Sequence, residues 1–263
     1  MAVDMIDTNL RGVDVSSYQG RIDWSAAYAD GIRFAMIKAT QGRSLTDANL
    51  RNFTDSRFHE NVVGASGTGM VCGAYHYLTA LNEAEAAEEA AVFLSAAAKY
   101  RAKLQLGAAV DVEDSRLPKD KKKLTAIVRT FCCRIREAGM SVMVYTNPDF
   151  LKNRLDDLGE FGLWLALWRN RELLPDLGQY PNLRIWQWGT AGVRGIAGKP
   201  DANFGIRGLL KTAEPTVDYK AEVQRLAGLA DVTVQYLAEY RFGDDLLRKL
   251  YEVMVNKEGD RET

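Results

Sequence analysis

Short apolar runs separated by polar and helical segments characterise the first two hundred residues of the chain. Several of these runs are rich in β-branched residues, and their length is typical of buried strands. Eight runs are strand candidates, at 11–17, 34–40, 70–77, 106–113, 141–146, 162–168, 182–188 and 199–204.

Helical patterns lie between the early strand candidates. Asp23 is a plausible N-cap and Gly31 a plausible stop for a helix of two turns, and a glycine-rich loop is expected at 64–69. Helices are predicted at 22–31, 47–58, 83–94 and 119–138. Alternation of strands and helices favours parallel βαβ units, and eight such strands close into an α/β barrel of the (β/α)8, TIM-like type. Because the later connections are short, we expect a modified barrel in which some helices are short or missing.

The pattern changes after Glu214 and Pro215, where only helical spacing remains. Helices are predicted at 218–228, 232–242 and 244–255. We therefore expect two domains, a barrel over 1–212 and a small all-α module of three helices over 216–257. A module of this size has a thin core and would gain from packing on another surface or on a copy of itself.

Composition and charge limit the possible functions. Hydrophobic residues make up 47% of the 263 residues and charged residues 26%, as in ordinary globular proteins. The net charge is −1, and no basic run is interleaved with aromatic residues, so we expect no nucleic-acid partner. The first seven residues lack the pattern of a secretory signal, and no apolar run predicts membrane insertion, which favours synthesis in the cytoplasm without a signal peptide.

Carboxylates at the ends of strand candidates are the first sign of chemistry. Asp111 and Glu113 lie two residues apart, and such side chains share one face of a strand. Two close carboxylates repel when both are ionised, so one of them tends to keep its proton near neutral pH. Asp14 and Asp201 also fall near strand ends, and active sites of α/β barrels lie at the carboxyl ends of the strands. We expect these four acids to meet at one rim.

Ordered motifs carry a resemblance to a known family over about residues 11–210. They are Gly12–Gly20, Ile22–Trp24, Lys38–Gly42, Gly73–Tyr77, Asp111–Glu113, Val144–Thr146, Leu163–Trp168, Ile185–Trp188 and Asp201–Asn203. In this order they resemble the lysozymes of glycoside hydrolase family 25, the bacterial and phage muramidases. The resemblance implies cleavage of the β-1,4 bond between N-acetylmuramic acid and N-acetylglucosamine in peptidoglycan, with no metal and no cofactor.

The resemblance also implies roles for the acids. Glu113 would be the general acid that protonates the leaving oxygen, while Asp111, Asp14 and Asp201 would shape the charge around a cationic transition state. The family is regarded as retaining, and both a carboxylate nucleophile and attack by the substrate's own N-acetyl group remain open. A phage or prophage endolysin is the expected setting, with release through holin pores or by lysis, and the C-terminal module would bind the wall or form a homo-oligomer.

Aromatic and polar side chains near the strand ends are candidates for sugar binding, because sugar rings pack their apolar faces on aromatic rings. The expected substrate-binding residues are Tyr75, Tyr77, Lys38, Tyr145, Trp164, Trp168, Gln187, Trp188 and Asn203. Lys38 would also act as a counter-charge to the acids inside the barrel. His76 has only His59 as a histidine companion and is expected to be a hydrogen-bonded structural residue. Gln41 stands where many relatives have Glu.

Two other functions compete with a muramidase. A catalytically inactive peptidoglycan-binding module would bind glycan without forming a product, and retention of all four acids argues against it. A metal-dependent barrel hydrolase would lose its activity to a chelator, and no cluster of Cys or His at ligand spacing supports it.

Overall fold

A computed structural model describes residues 6–42, 53–206 and 208–210, together with isolated positions between 223 and 250. The chain divides into two compact units, Met1–Thr212 and Ala213–Thr263. Most of the three helices expected at 218–255 lies outside the described residues, so the C-terminal module stays a prediction. None of the described helices is long and apolar enough to cross a membrane.

Nine strands and five α-helices are described in the first unit. The strands are β1 (Ile6–Val15), β2 (Ile32–Gln41), β3 (Phe53–Thr54), β4 (Val71–Tyr77), β5 (Ala108–Asp111), β6 (Val142–Thr146), β7 (Gly162–Ala166), β8 (Leu183–Thr190) and β9 (Asp201–Ile206). The helices are α1 (Trp24–Ala29), α2 (Phe58–Gly67), α3 (Glu83–Ala97), α4 (Lys121–Glu137) and α5 (Pro148–Asn153). Short 3-10 helices occupy Ser17–Gln19 and Ala98–Lys103.

Eight of the strands form a closed barrel in the order β1-β9-β8-β7-β6-β5-β4-β2, and pairing of β1 with β2 closes it. This confirms the expected barrel. Strand β9 runs antiparallel to both of its neighbours, whereas the other barrel pairs are parallel. The first residue of β9, and not its last, therefore lies at the rim where the other strands end.

The helical layer is incomplete, as the short connections predict. The described connections 167–182 and 191–200 contain no helix, and α1 and α5 each have six residues. The two longest helices, α3 and α4, begin at N-caps. Asn82 caps α3 by accepting from Glu85 N, and Asp120 caps α4 by accepting from Lys123 N. The described outer layer therefore consists of the three longer helices α2, α3 and α4, the two short helices α1 and α5, and loops.

Alternation along the strands separates two apolar cores. Inside the barrel, Phe34 and Met36 of β2 pack with residues of the other strands, and Gly12 of β1 leaves room for the Phe34 ring, which an added Cβ would meet. Outside it, residues such as Ile37 pack against the helices, with Phe131 of α4 among them. The polar residues that replace apolar ones at the upper end of the inner face form the site described below.

Two sequence predictions between β2 and β4 are wrong. A helix was expected at 47–58, but residues 53–54 form β3, which pairs with the end of β2, and the helix begins at Phe58; residues 47–52 lie outside the described part. A loop was expected at 64–69, but α2 continues to Gly67. Gly64 is a close-packing position, because an added Cβ would collide with the ring of Trp24.

Candidate active site

The pair Asp111 and Glu113 stands at the end of β5. Strand pairing ends at Asp111, two residues earlier than the sequence suggested, so Glu113 follows the strand instead of belonging to it. Val112 still donates its N–H to the carbonyl of Tyr145 at 2.9 Å, which holds the chain between the two acids on β6. Asp111 is buried at 6% exposure, whereas Glu113 is exposed. One acid lies at the floor of the site and the other at its mouth.

Asp14 and Asp201 are direct cross-strand partners on β1 and β9. Residues opposite each other in an antiparallel pair have Cβ atoms about 4.5–5.5 Å apart. Burial raises the pKa of Asp201, and its hydrogen bond with the Asp14 side chain acts in the opposite direction. The reversed direction of β9 thus brings an acid from its start to the acid at the end of β1.

Two buried amides fix the Asp14 carboxylate. Its Oδ2 accepts from Gln187 Nε2 at 3.0 Å and from Asn203 Nδ2 at 2.8 Å. The orientation of each amide is set by a donor on its oxygen. Trp164 Nε1 donates to Asn203 Oδ1 at 2.8 Å, and Tyr145 donates its hydroxyl to Gln187 Oε1 at 3.1 Å.

Burial raises the pKa of all four acids, and repulsion from a neighbouring acid adds to this at Asp14, Asp111 and Glu113. Burial, followed by the charge of Asp201, raises the pKa of Asp14 to about 7, although its two amide hydrogen bonds act in the opposite direction. Burial, with added repulsion from Glu113, raises the pKa of Asp111 well above its usual range. Protein atoms around its carboxyl and the charge of Asp201 raise the pKa of Glu113 as well. The cluster therefore holds protons at a pH at which isolated carboxyls have lost them.

Lys38 supplies the counter-charge from β2. Its ammonium donates to Gln41 Oε1 at 2.8 Å and lies 5.1 Å from the centre of the Tyr77 ring. Burial lowers the pKa of Lys38, while the charges of Asp111 and Glu113 act to raise it. Lys38 is half-buried and points into the acid cluster, as the sequence suggested.

The expected substrate-binding residues divide into two layers. Trp168 is 60% exposed, and Tyr75, Tyr77, Lys38 and Trp188 are partly exposed, so these five can line a groove. The other four do not reach the surface, with exposures of 8% for Tyr145, 1% for Trp164, 2% for Gln187 and 1% for Asn203. Sugar binding by these four stays a prediction; in the structure their polar atoms hold Asp14 and its amides.

Trp168 links the two layers. Its indole Nε1 donates to Gln187 Oε1 at 2.8 Å while most of its ring faces solvent. Trp164 and Trp168 were expected on the same side of one continuous strand. However, β7 ends at Ala166, and only Trp164 points into the core. Trp188 stacks on Phe204 with their ring centres 5.8 Å apart.

Two further acids near the site escaped the sequence analysis. Asp55 accepts from the backbone N–H of Arg57, and Asp114 accepts from that of Arg116, each two residues further along. Asp55 Oδ2 also accepts a hydrogen bond from the backbone N–H of Ser17 at 2.9 Å, which connects the segment after β1 to the loop after β3. The repeated tripeptide Asp-Ser-Arg, at 55–57 and 114–116, is the signal that could have predicted both turns.

His76 lies outside the acid cluster, on the helix-facing side of β4, and stacks on Phe131 of α4. Both of its ring nitrogens have protein partners, as expected of a structural histidine. Within the described part of the chain, no three His, Cys, Asp or Glu side chains are arranged to hold a metal ion.

Comparison with known proteins gives a consistent result. Residues 13–195 match the model of the family described as Glycosyl hydrolases family 25. An autolytic lysozyme of Clostridium acetobutylicum is 28% identical over 215 residues, which cover 80% of this chain and 60% of that protein. An N,O-diacetylmuramidase of Arthroderma benhamiae is 30% identical over 196 residues, covering 69% of this chain and 79% of that protein.

Solved structures agree with the fold. A family 25 glycosyl hydrolase from Bacillus anthracis superposes with a TM-score of 0.61 at 26% identity, over 74% of this chain and 88% of that chain. The present chain spans about 60% of the length of the clostridial lysozyme. The family match covers well over half of the present chain and includes three of the four acids. On this evidence the chain belongs to glycosyl hydrolases family 25.

Proposed function

We propose that this protein is a muramidase that hydrolyses the β-1,4 bond between N-acetylmuramic acid and N-acetylglucosamine in the glycan strands of bacterial peptidoglycan. Membership of family 25 and relatives named as a lysozyme and an N,O-diacetylmuramidase support the substrate class. The observation that carries the proposal is the convergence of an exposed Glu113 with three less exposed aspartates whose pKa values are all raised.

Glu113 is the proposed general acid. Its carboxyl is exposed enough to meet a glycosidic oxygen, whereas Asp111 lies beneath the surface. Its raised pKa favours the protonated form that a general acid needs. When the bond from the anomeric carbon to the glycosidic oxygen breaks, the electron pair stays on that oxygen and the proton of Glu113 neutralises it.

The remaining acids act on the positive charge that develops at the anomeric carbon. Asp14 is held by two amides in one orientation, so it needs no reorganisation when that charge appears. In a retaining reaction, either a carboxylate or the carbonyl oxygen of the substrate's N-acetyl group bonds to the anomeric carbon. Water then attacks that carbon, Glu113 takes a proton from the water, and the intermediate opens with the original configuration restored.

Exposed aromatic rings beside the acids favour a glycan in the groove. Trp168 presents an apolar ring to solvent, and Tyr75, Tyr77 and Trp188 are partly exposed. Sugar rings pack on such surfaces while their hydroxyl groups find polar partners.

The decisive variant is Glu113→Gln, with Glu137→Gln as its matched control, because Glu137 is an exposed glutamate on the outer helix α4. Purified peptidoglycan is incubated with each protein, and new reducing ends are counted. We expect Glu137→Gln to match the wild type and Glu113→Gln to lose at least about a hundredfold in rate. Equal activity of Glu113→Gln and the wild type would contradict the assignment of the acid.

Binding without products is the signature of the competing function. If the wild type sediments with peptidoglycan but releases no reducing ends, the chain is an inactive binding module. If activity is present and a chelator abolishes it, the metal-dependent alternative holds instead.

The stereochemistry of the reaction is tested separately. A retaining enzyme first releases the β-anomer, which proton NMR of a soluble glycan fragment detects before mutarotation. Initial appearance of the α-anomer would contradict retention.

We also propose an endolysin role for the protein, reaching the wall through holin pores or after lysis; its sequence resemblance to bacterial and phage muramidases supports this. Expression in a bacterial host should lyse the cells only when a holin is co-expressed.

The module predicted at 216–257 is proposed to bind the wall or to self-associate. If light scattering gives the full chain a mass of 29.3 kDa, that of a monomer, self-association is contradicted.

A further inference from the structure

The pairing of β2 with β4 contains an irregularity next to the acid cluster. Lys38 lies opposite Tyr75 and Thr40 opposite His76, so Ala39 is an extra residue on β2. This is a β-bulge, and bulges at barrel rims re-aim the side chains that follow. The carbonyl of Ala39 accepts from Asp55 N at 2.8 Å, so the extra residue has its own backbone partner.

The bulge decides which side chains of β2 enter the site. In a regular strand Lys38 and Thr40 would share one face, because side chains alternate. Here Thr40 bonds to His76 on the helix-facing side, and Ala39 packs in the same outer core. Lys38 and Gln41 instead point inward together, joined by the 2.8 Å hydrogen bond between them.

A buried polar chain holds Thr40 in this outward position. Thr40 Oγ1 lies 2.7 Å from His76 Nδ1, and His76 Nε2 lies 2.6 Å from Glu89 Oε2 on α3. Glu89 also accepts from the backbone N–H of Thr79 at 3.1 Å and from its hydroxyl at 2.7 Å. Thr40, His76 and Glu89 are each 0% exposed, so none of them can contact a substrate.

We propose that the chain Glu89–His76–Thr40 is a positioning device that keeps the bulge in β2 and thereby sets the place of Lys38 in the acid cluster. The three residues act through Lys38 and are not catalytic themselves. The inference rests on the proposed function, since its effect on the reaction passes through Glu113.

Several charged groups lie around Lys38 and the two acids on which it acts, Glu113 and Asp111. Lys38 faces Asp111, Asp55 and Glu113. The charges that act on Glu113 are those of Lys38, Asp201 and Asp114. The charges that act on Asp111 are those of Glu113, Lys38, Asp14 and Asp114, and Asp114 is itself paired with Arg116. Lys38 is the positive charge that lowers the pKa of both Glu113 and Asp111 in this set. Moving its ammonium away from Glu113 therefore raises the pKa of Glu113.

The test removes the Thr40 hydroxyl and leaves Lys38 in place. Thr40→Val deletes the contact with His76, Thr40→Ser keeps it, and Thr125→Val makes the same change at a buried threonine of α4 whose hydroxyl donates to Lys121 O. A general acid works only while protonated, so the alkaline limb of the rate profile follows the pKa of Glu113. We expect Thr40→Val to move that limb to higher pH by about half a pH unit, which makes the variant about threefold faster than the wild type at pH values above the limb. Lys38→Met should move the limb in the same direction by about one pH unit.

Two further measurements separate positioning from loss of stability. Combined with Lys38→Met, Thr40→Val should add no further shift, because its effect requires Lys38. NMR titration of the Glu113 carboxyl reads the same shift without any activity, so the proposal is decided even if the wild type cleaves no peptidoglycan. Thr40→Ser and Thr125→Val should keep the wild-type titration. If Thr40→Val also keeps it and only lowers the melting temperature, the positioning role is overturned.

Discussion

Replacing Asp14 by asparagine should make the protein more stable at pH 8 and inactive. Asp14 is 8% exposed, and its pKa rises from the usual 3.8 to about 7 in the fold. The folded state therefore binds more protons than the unfolded chain between these two values, so stability falls as pH rises through this window and stays low above pH 7. At about 1.36 kcal/mol per pKa unit, the ionised Asp14 costs about 4 kcal/mol of unfolding free energy above pH 7.

Asp14→Asn removes this charge but keeps an oxygen that can accept from Gln187 and Asn203. We expect the variant to gain about 2–4 kcal/mol in unfolding free energy at pH 8 and almost nothing at pH 4, where Asp14 is protonated in the folded wild type. Urea unfolding at pH 4, 6 and 8 measures this, with Asp157→Asn as control, since Asp157 is exposed. A gain independent of pH, or a loss at pH 8, would refute the reasoning.

Two other substitutions test particular contacts. Trp168→Phe keeps an aromatic ring at the rim but loses the N–H that donates to Gln187. It should lower kcat/KM about fivefold, the equivalent of about 1 kcal/mol, in steady-state assays on soluble glycan. An unchanged kcat/KM would show that this hydrogen bond does not serve the reaction. Gly64→Ala places a Cβ against the ring of Trp24 and should cost about 1–3 kcal/mol in unfolding free energy without altering KM. An unchanged midpoint in urea would show that α1 and α2 can separate freely.

The barrel strands could be predicted because each is a local pattern. Val142–Thr146 is buried along its whole length, and 163–165 are buried within β7, so both read as apolar runs in the sequence. The Asp111 and Glu113 pair was visible for the same reason, although the strand ends at Asp111. Local signals failed at Gly64, where a glycine serves close packing and not a turn.

The support of the site could not be predicted, because it depends on contacts between distant residues. The amides that hold Asp14 are 173 and 189 residues away in the sequence, and no periodicity relates them to it. The reversal of β9, which places Asp201 opposite Asp14, leaves no mark in the apolar pattern of 199–204. The bulge at Ala39 is equally silent, since 34–40 reads as a regular strand until the partner register is known.

The central claim is that Glu113 and its neighbouring acids cleave the bond on the reducing side of N-acetylmuramic acid. The most direct measurement is borohydride reduction of peptidoglycan digested by the full chain, followed by identification of the reduced sugar. The account predicts that N-acetylmuramic acid is converted to its alditol and that Glu113→Gln produces none. Reduced N-acetylglucosamine, or the same products from Glu113→Gln, would contradict it.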